Sequence, residues 1–444
     1  MTDSPAVQAP VDPREQPILD QTLRIRDSLY LLKQDRSTYI KSRDVISLYD
    51  QLTEQVQSLN SLRADKRLQQ SRVDTVLDDC FQLISLFFLT IGRTHEAPAL
   101  YAMTSTIRRL LDHLKEAEVY SAKDLESISR TCDHMGDTLQ RSRETYSPAL
   151  LTLLEARLEA CQALLSELFQ YLSRLPVELI PVHEKLVSIL RSVSAANTRQ
   201  KFPVSEVRGF QEQLKEMQNS LVNGKFRAEN GTLPDEQVIV MSLLERCLLW
   251  SDIVLERQGT IDDRFRDTYD KLIDIRNQLE KLSLTQAWSL RETDLYSYQR
   301  QLDRIDESRV NGDFLDVEGK PADLHAQRTM LYLLRRSYSY IYGLLISSEP
   351  VSEALLPVFN QLQTLRRCLY EVKKSGGISS PRELYPYSMK LASIDNMRVD
   401  GKFLVGSDIP EGQGSINALL AECFDIVYDL RLATDTEEHT EQDS

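Results

Sequence analysis

Glycine and proline are scarce in this sequence. Of 444 residues, 15 are Gly and 16 are Pro, against average usage of about 7% and 5%. Few turn-formers in a long chain mean few turns, which favours long helices. Long apolar runs are missing too. The strongest, Cys80 to Gly92 (CFQLISLFFLTIG), falls short of the roughly 18 residues that argue for a membrane span. The amino-terminal stretch has neither a basic start nor an apolar core, so no secretory signal is expected. Six cysteines without such a signal point to reduced thiols in the cytoplasm, with the nucleus as the other compartment.

Base is outnumbered by acid. Lys and Arg total 53, Asp and Glu 67, and the net charge is −14. Nucleic acid and anionic membrane are therefore not expected as general partners, because their affinity comes largely from Lys and Arg meeting phosphates. No Ser-His-Asp set, paired-carboxylate motif or dinucleotide fingerprint stands out. Neither an enzyme nor a cofactor is expected.

What is present is helical periodicity. Leu272, Ile275, Leu279 and Leu282 form one apolar stripe, and Leu295, Tyr298, Leu302 and Ile305 another. Leu331, Leu334, Tyr338, Ile341 and Leu345 form a third, and Val358, Leu362, Leu365, Leu369 and Val372 a fourth. Each puts one apolar face on a helix. Ser289 with Glu292, and Ser380 with Glu383, fit the capping box, and no alternating strand is evident.

The chain also repeats. VNGKF, VNGDF and VDGKF place Gly224, Gly312 and Gly401 at spacings of 88 and 89, with a fainter relative at Gly136. Cys80, Cys161, Cys247, Ser337 and Cys423 step by 81, 86, 90 and 86. An apolar residue precedes Arg26, Arg108, Arg191, Arg276 and Arg366, at steps of 82, 83, 85 and 90. Three landmarks in phase predict five degenerate repeats, each of three helices. The expected order is helix a with the Arg, helix b, the Gly turn, then helix c with the Cys. The expected bounds are 17–93, 94–176, 177–258, 259–349 and 350–433. A Pro-rich disordered tail at 1–16 and an acidic disordered tail at 434–444 flank them. Pro98, Pro176, Pro181, Pro350 and Pro357 punctuate the joints, so no helix is expected to run from one repeat into the next. The fold class expected is all-α, an elongated array of helical repeats, with one compact bundle as the alternative.

The segment Met397 to Leu430 (MRVDGKFLVGSDIPEGQGSINALLAECFDIVYDL) resembles the hallmark of an uncharacterised fungal family of all-helical proteins. The block LLPVFNQLQTLRRCLYEVKKSGGISSPRELYPYSMKL, from Leu355, is similar to the same family. The resemblance covers nearly the whole chain. It implies a soluble intracellular fungal protein, and offers no catalytic residues to carry over.

Five features invite a chemical reading. A phosphate cradle needs several N–H groups converging at a strand-to-helix junction. The Gly turns follow helices, and Lys225 becomes Asp313 in the next copy, so they read as helix stops with the Phe docked in the core. Gly412 and Gly414 precede a helix start, where an anion could bind, but a lone GxG more simply marks the approach to a helix. The cysteines lie far apart rather than in CxxC pairs, and His113, Cys132 and His134 lack a fourth ligand, so no metal site is expected. The Arg series reads as ion pairs or carbonyl clamps, or as a basic ladder for an acidic ligand. In the cluster of Tyr332, Tyr338, Tyr340 and Tyr342, Tyr338 fits the core stripe, whereas Tyr340 and Tyr342 point elsewhere and could face an adjoining repeat or a partner, with core packing the favoured reading. The function expected is a non-enzymatic scaffold or adaptor for other proteins. The alternative is a binding module for a small acidic ligand or lipid headgroup, using the Arg series. The surface expected to carry either one comprises Arg26, Arg108, Arg191, Arg276, Arg366, Tyr340 and Tyr342.

Overall fold

Fifteen α-helices are found among the described residues of the computed structural model, which are 12–63, 71–221, 226, 237–286 and 290–442. In order they are α1 (Gln16–Gln34), α2 (Ser42–Arg63), α3 (Arg72–Thr90), α4 (Leu100–Ala117), α5 (Ala122–Arg141), α6 (Pro148–Leu172), α7 (Ile180–Asn197) and α8 (Val204–Asn219). There follow α9 (Val238–Arg257), α10 (Arg266–Lys281), α11 (Leu295–Glu307), α12 (Leu324–Ile346), α13 (Leu356–Lys374), α14 (Tyr385–Asp395) and α15 (Gln413–Gln442). The expected all-α class is what the chain adopts.

Local chemistry sets the helix starts. Ser71 and Ser121 are N-caps in full capping boxes with Asp74 and Asp124. Ser147 caps α6, whose first residue is Pro148, and Pro181 and Pro357 occupy first-turn positions of α7 and α13. A proline there loses no hydrogen bond, because the first N–H groups have no partner within the helix. Ser380 accepts from the Arg382 N–H and caps a 3₁₀ turn, Pro381–Leu384, that leads into α14. The other expected box rests on Ser289, which lies outside the described residues.

The described chain divides into two compact units. The first comprises residues 1–102, 285–296 and 347–444; the second comprises 103–284 and 297–346. In the first unit the apolar run becomes α3, and every residue from Asp79 to Thr90 is buried. A helix apolar on all sides must be covered on all sides. Here α1, α2 and the 3₁₀ turns Ala97–Ala99 and Glu292–Asp294 pack on it. A second cluster of this unit joins α13, α14 and α15 around Leu362, Leu391 and Cys423. In the second unit α7, α8 and α9 enclose Leu186, Leu214 and Trp250.

The first unit holds the beginning and the end of the chain together. The Glu353 N–H donates to the Thr90 carbonyl at 3.0 Å, and Arg93 pairs with Glu411 at 2.8 Å. Two glycines allow this approach. A Cβ on Gly92 would lie 2.6 Å from Ser352 N, and one on Gly412 would lie 2.7 Å from Val351 Cα. Gly412 is thus explained by backbone proximity rather than by an anion. A row of repeats that touch only their neighbours in sequence does not describe this unit.

The landmarks keep common structural roles. Four of the five third helices, α3, α6, α9 and α15, carry the Cys, and its Sγ–H donates to a carbonyl of the helix two before it. The pairs are Cys80 with Thr22, Cys161 with Thr104, Cys247 with Leu186 and Cys423 with Leu362, at 3.6–3.7 Å. At the corresponding place on α12, Ser337 donates instead to Leu333 of its own helix.

The glycine turns correct the sequence reading. Asn311 and Gly312 both have positive φ, 52° and 89°, as do Asp400 and Gly401, 50° and 75°. These are the two central residues of a hairpin turn, and helix stops they are not. Strands β1 (Arg398–Val399) and β2 (Lys402–Phe403) pair antiparallel across Gly401, and Val310 bridges Asp313 across Gly312. Docking of the Phe does occur: Phe226, Phe314 and Phe403 are all buried. Gly224 and Lys225 lie outside the described residues. Gly136 marks no turn; it sits inside α5.

Both expected tails are shorter than 1–16 and 434–444. A 3₁₀ turn begins at Pro13, and the buried Glu15 pairs with Arg63 at 2.7 Å. Burial of a charge demands such a partner. At the other end α15 continues to Gln442. No Gly or Pro follows Gly414 to stop it.

Candidate functional site

Local capping builds the first wall of a cavity in the second unit. Asp124, at the third position of α5, accepts from the Ser121 N–H at 2.7 Å and from its hydroxyl at 2.9 Å. Fixed there, it meets Arg191 of α7 at 2.6 Å, and Arg191 also donates to the Val119 carbonyl. Burial pushes the Asp124 carboxyl up, but the Arg191 pair and the Ser121 bonds override it and hold it below its ordinary value.

Helix α12 forms the facing wall. Of its expected apolar stripe, Leu334, Tyr338, Ile341 and Leu345 are buried as the periodicity predicts, and Leu331 is half-buried and lines the side chamber. A second stripe, Arg328, Tyr332, Arg335, Ser339 and Tyr342, steps by four, three, four and three and lines the cavity. The main chamber is about 790 Å³ and includes Lys123, Asp124, Glu184, Arg191, Arg335 and Arg336. A side chamber of about 310 Å³ adds Arg246, Trp250 and Arg328.

Most charges here are matched. Lys123 faces Glu184 at 3.7 Å, Arg246 pairs with Glu118 at 3.0 Å, and Glu116 pairs with Arg309 at 2.6 Å. Arg336 stacks on Tyr340, 4.4 Å from the ring centre, and donates to its hydroxyl. Arg328 lies over Trp250 at 5.7 Å. Arg335 has no ion pair or hydrogen bond with any described residue. Burial, and the neighbouring Arg191 charge, pull its pKa down to about 10. Asp124 and Glu116 oppose the shift from beyond ion-pair distance, and such a guanidinium is stabilised by any anion that reaches it.

Of the arginine series, Arg191 alone lines this cavity. Arg108 is exposed and pairs with Asp112 on its own helix, and Arg276 donates to the Thr198 carbonyl. In the first unit Arg26 is buried with Asp27 3.9 Å away, and Arg366 pairs with Glu422 at 3.1 Å. Tyr340 donates to Glu280 at 2.9 Å. Tyr342 is buried, lines the main chamber and shares a hydrogen bond with Thr131 at 2.8 Å. Sequence reasoning misses Arg246, Arg328, Arg335, Arg336 and Lys123. The signal that could find Arg328 and Arg335 is the polar stripe beside the apolar one on α12, and no such signal marks Lys123 or Arg246.

A second polar cluster of this unit is closed on itself. Tyr338 donates to Asp303 at 2.7 Å, Arg109 pairs with Asp306 at 3.3 Å, and His113 Nε2 lies 3.2 Å from Asp306. Both carboxylates are paired, which suits a structural core, while the buried His113 Nδ1 has no hydrogen-bond partner among the described residues. Among the described residues no group of three or more His, Cys, Asp or Glu is arranged to hold a metal ion. Among the same residues no helix is long and apolar enough to cross a membrane.

Helices, hairpins and an arginine-lined cavity define an all-α protein with a recess in its second unit. The chain belongs to the CUB1 family. A CUB1 family protein of Schizosaccharomyces pombe is 40% identical over 97% of this chain and 95% of its own length. The Cu(2+) suppressing and bleomycin sensitive protein 1 of Saccharomyces cerevisiae is 37% identical over 95% of this chain and 90% of its own. The family model described as protein of unknown function (DUF2408) matches residues 172–292 and 349–444. No solved structure matches the chain.

Proposed function

We propose that the second unit is a non-enzymatic binding module for a small acidic ligand, which sits in the cavity against α12. One observation carries this reading: Arg335 faces the cavity without a carboxylate in ion-pair reach among the described residues. A wall of guanidinium groups repels Cu(2+), the ion in the name of the Saccharomyces relative, and attracts anions. Calorimetric titration of the full chain with small mono-, di- and trianions tests the reading. Saturable binding that Arg335→Gln weakens about tenfold or more is expected. A panel without binding, or binding that Arg335→Gln leaves unchanged, refutes it.

A second reading, a protein adaptor, draws on α15. Phe424, Tyr428 and Leu432 are exposed at successive four-residue steps on one helix face. It predicts crosslinked partners that Phe424→Ser with Tyr428→Ser releases.

A further inference from the structure

The class of ligand can be narrowed, resting on the reading of the cavity as an anion site. The two chambers share one partition, made of Arg191, Tyr332 and Arg335. Arg335 therefore stands in both walls. Arg336 belongs to the main chamber alone, and Arg328 to the side chamber alone. Arg328 and Arg335 lie two helical turns apart, roughly 10 Å along the axis.

Charge bookkeeping decides how many anionic groups are needed. Arg191, Lys123 and Arg246 are matched by Asp124, Glu184 and Glu118, and Glu116 is taken by Arg309. Arg328, Arg335 and Arg336 have no ion pair with any described residue. Three guanidinium groups are thus in excess along little more than two turns of one helix. A single carboxylate would serve one of them, in one chamber. A ligand with several anionic groups spread over roughly 10 Å would serve all three.

Geometry selects the kind of group. A guanidinium presents paired N–H donors that match two phosphate oxygens at once, and each phosphoryl group brings more charge than a carboxylate. Trp250 holds the Arg328 guanidinium over its ring, and Leu331 and Leu190 make the side chamber partly apolar. We propose that the cavity binds a polyphosphorylated small molecule, with phosphoryl groups lodged on both sides of Arg335. The same chemistry is found in soluble polyphosphates and in phosphoinositide headgroups.

The full chain would be titrated with orthophosphate, tripolyphosphate, inositol hexakisphosphate and citrate. Calorimetry gives affinity, and emission of Trp250 in a Trp288→Phe background reports the side chamber. At least one polyphosphorylated probe is expected to bind about tenfold or more tighter than orthophosphate or citrate. Arg335→Gln should weaken it about tenfold, and Arg335→Lys, which keeps the charge and loses the fork, should weaken it as well. Arg328→Gln should weaken the polyphosphorylated probe, spare orthophosphate and abolish the Trp250 response, while Arg108→Gln changes nothing. Vesicles with and without phosphatidylinositol 4,5-bisphosphate separate the sources: Arg335-dependent sedimentation assigns a lipid headgroup, and binding confined to free probes assigns a soluble ligand.

Citrate binding as tightly as the polyphosphorylated probes, with Arg335→Gln weakening both, overturns the phosphate inference and leaves the acidic-ligand reading standing. No binding by any probe overturns both. Polyphosphate binding that no substitution on α12 alters also overturns both.

Discussion

Gln413 clamps Phe403 by both backbone groups: its side-chain carbonyl accepts the Phe403 N–H at 2.8 Å, and its amide donates to the Phe403 carbonyl at 2.8 Å. Gln237 does the same to Phe226, and Gln327 to Phe314. Each clamp ties the segment that carries the Phe to the start of the following helix and seats the ring in the core.

Replacing Gln413 by Leu keeps the bulk and removes both bonds to Phe403 together with one to the Pro410 carbonyl at 3.0 Å. Each orphaned backbone group costs about 1–3 kcal/mol, so a loss of at least roughly 2 kcal/mol is expected by urea denaturation. A loss below about 0.5 kcal/mol, the range of ordinary surface changes, would show that the clamp is not needed.

Two glycines should differ sharply. Gly401 has φ +75° but open space where a methyl group would lie, so Gly401→Ala should cost only about 1–2 kcal/mol of backbone strain. Gly412 has φ +99° and backbone at 2.7 Å, so Gly412→Ala should cost roughly 3 kcal/mol or more. Equal melting temperatures for the two variants would contradict the close approach at Val351.

Glu292 makes stability depend on pH. Burial raises its pKa above the ordinary 4.5, against the opposing hydrogen bonds from Ser348 and Thr90. The folded chain therefore keeps this proton longer than the unfolded chain. Stability from this group is present below pH 4.5 and falls as pH rises from there to the folded value. Glu292→Gln should remove that slope and be more stable than the parent at pH 7, with little difference at pH 4. Parallel stability curves from pH 4 to 8 would rule this out.

Thiol reactivity should separate the cysteines. Burial pushes Cys132 and Cys247 up to about 12 and Cys161 and Cys423 up to about 11, and raises Cys80 as well. Cys368 is exposed. Native protein at pH 8 should yield one fast-reacting thiol, lost in Cys368→Ser, and the full six only on unfolding.

Much of the helical layout can be read from the sequence because it follows from local spacing. Stripes at three and four residues specify a buried face wherever glycine and proline are rare. The phased Arg and Cys landmarks fall on the first and third helices of successive triplets. The hairpins escape notice for a different reason. Asn311-Gly312 and Asp400-Gly401 are dipeptides that favour positive φ at both positions, but their strands span two residues or fewer, too short for any alternation to register. The cavity escapes notice because its pairings cross long stretches of chain. Asp124 and Arg191 are 67 residues apart, and nothing near Arg335 reveals that it lacks a carboxylate. The shared unit of the two chain ends is hidden likewise, since Gly92 and Gly412 gain their meaning only from Val351 and Ser352.

That last arrangement bears on how the protein is made. Residues 103–284 and the segment that completes their unit are synthesised before residue 347 is added. The first hundred residues cover α3 with α1, α2 and Ala97–Ala99, but Thr90 and Arg93 at its end wait for Glu353 and Glu411, a delay on the order of tens of seconds at ordinary synthesis rates. A premature stop codon soon after position 347 would leave Thr90 and Arg93 without Glu353 and Glu411, so even a late truncation should lower the stability of the amino-terminal helices.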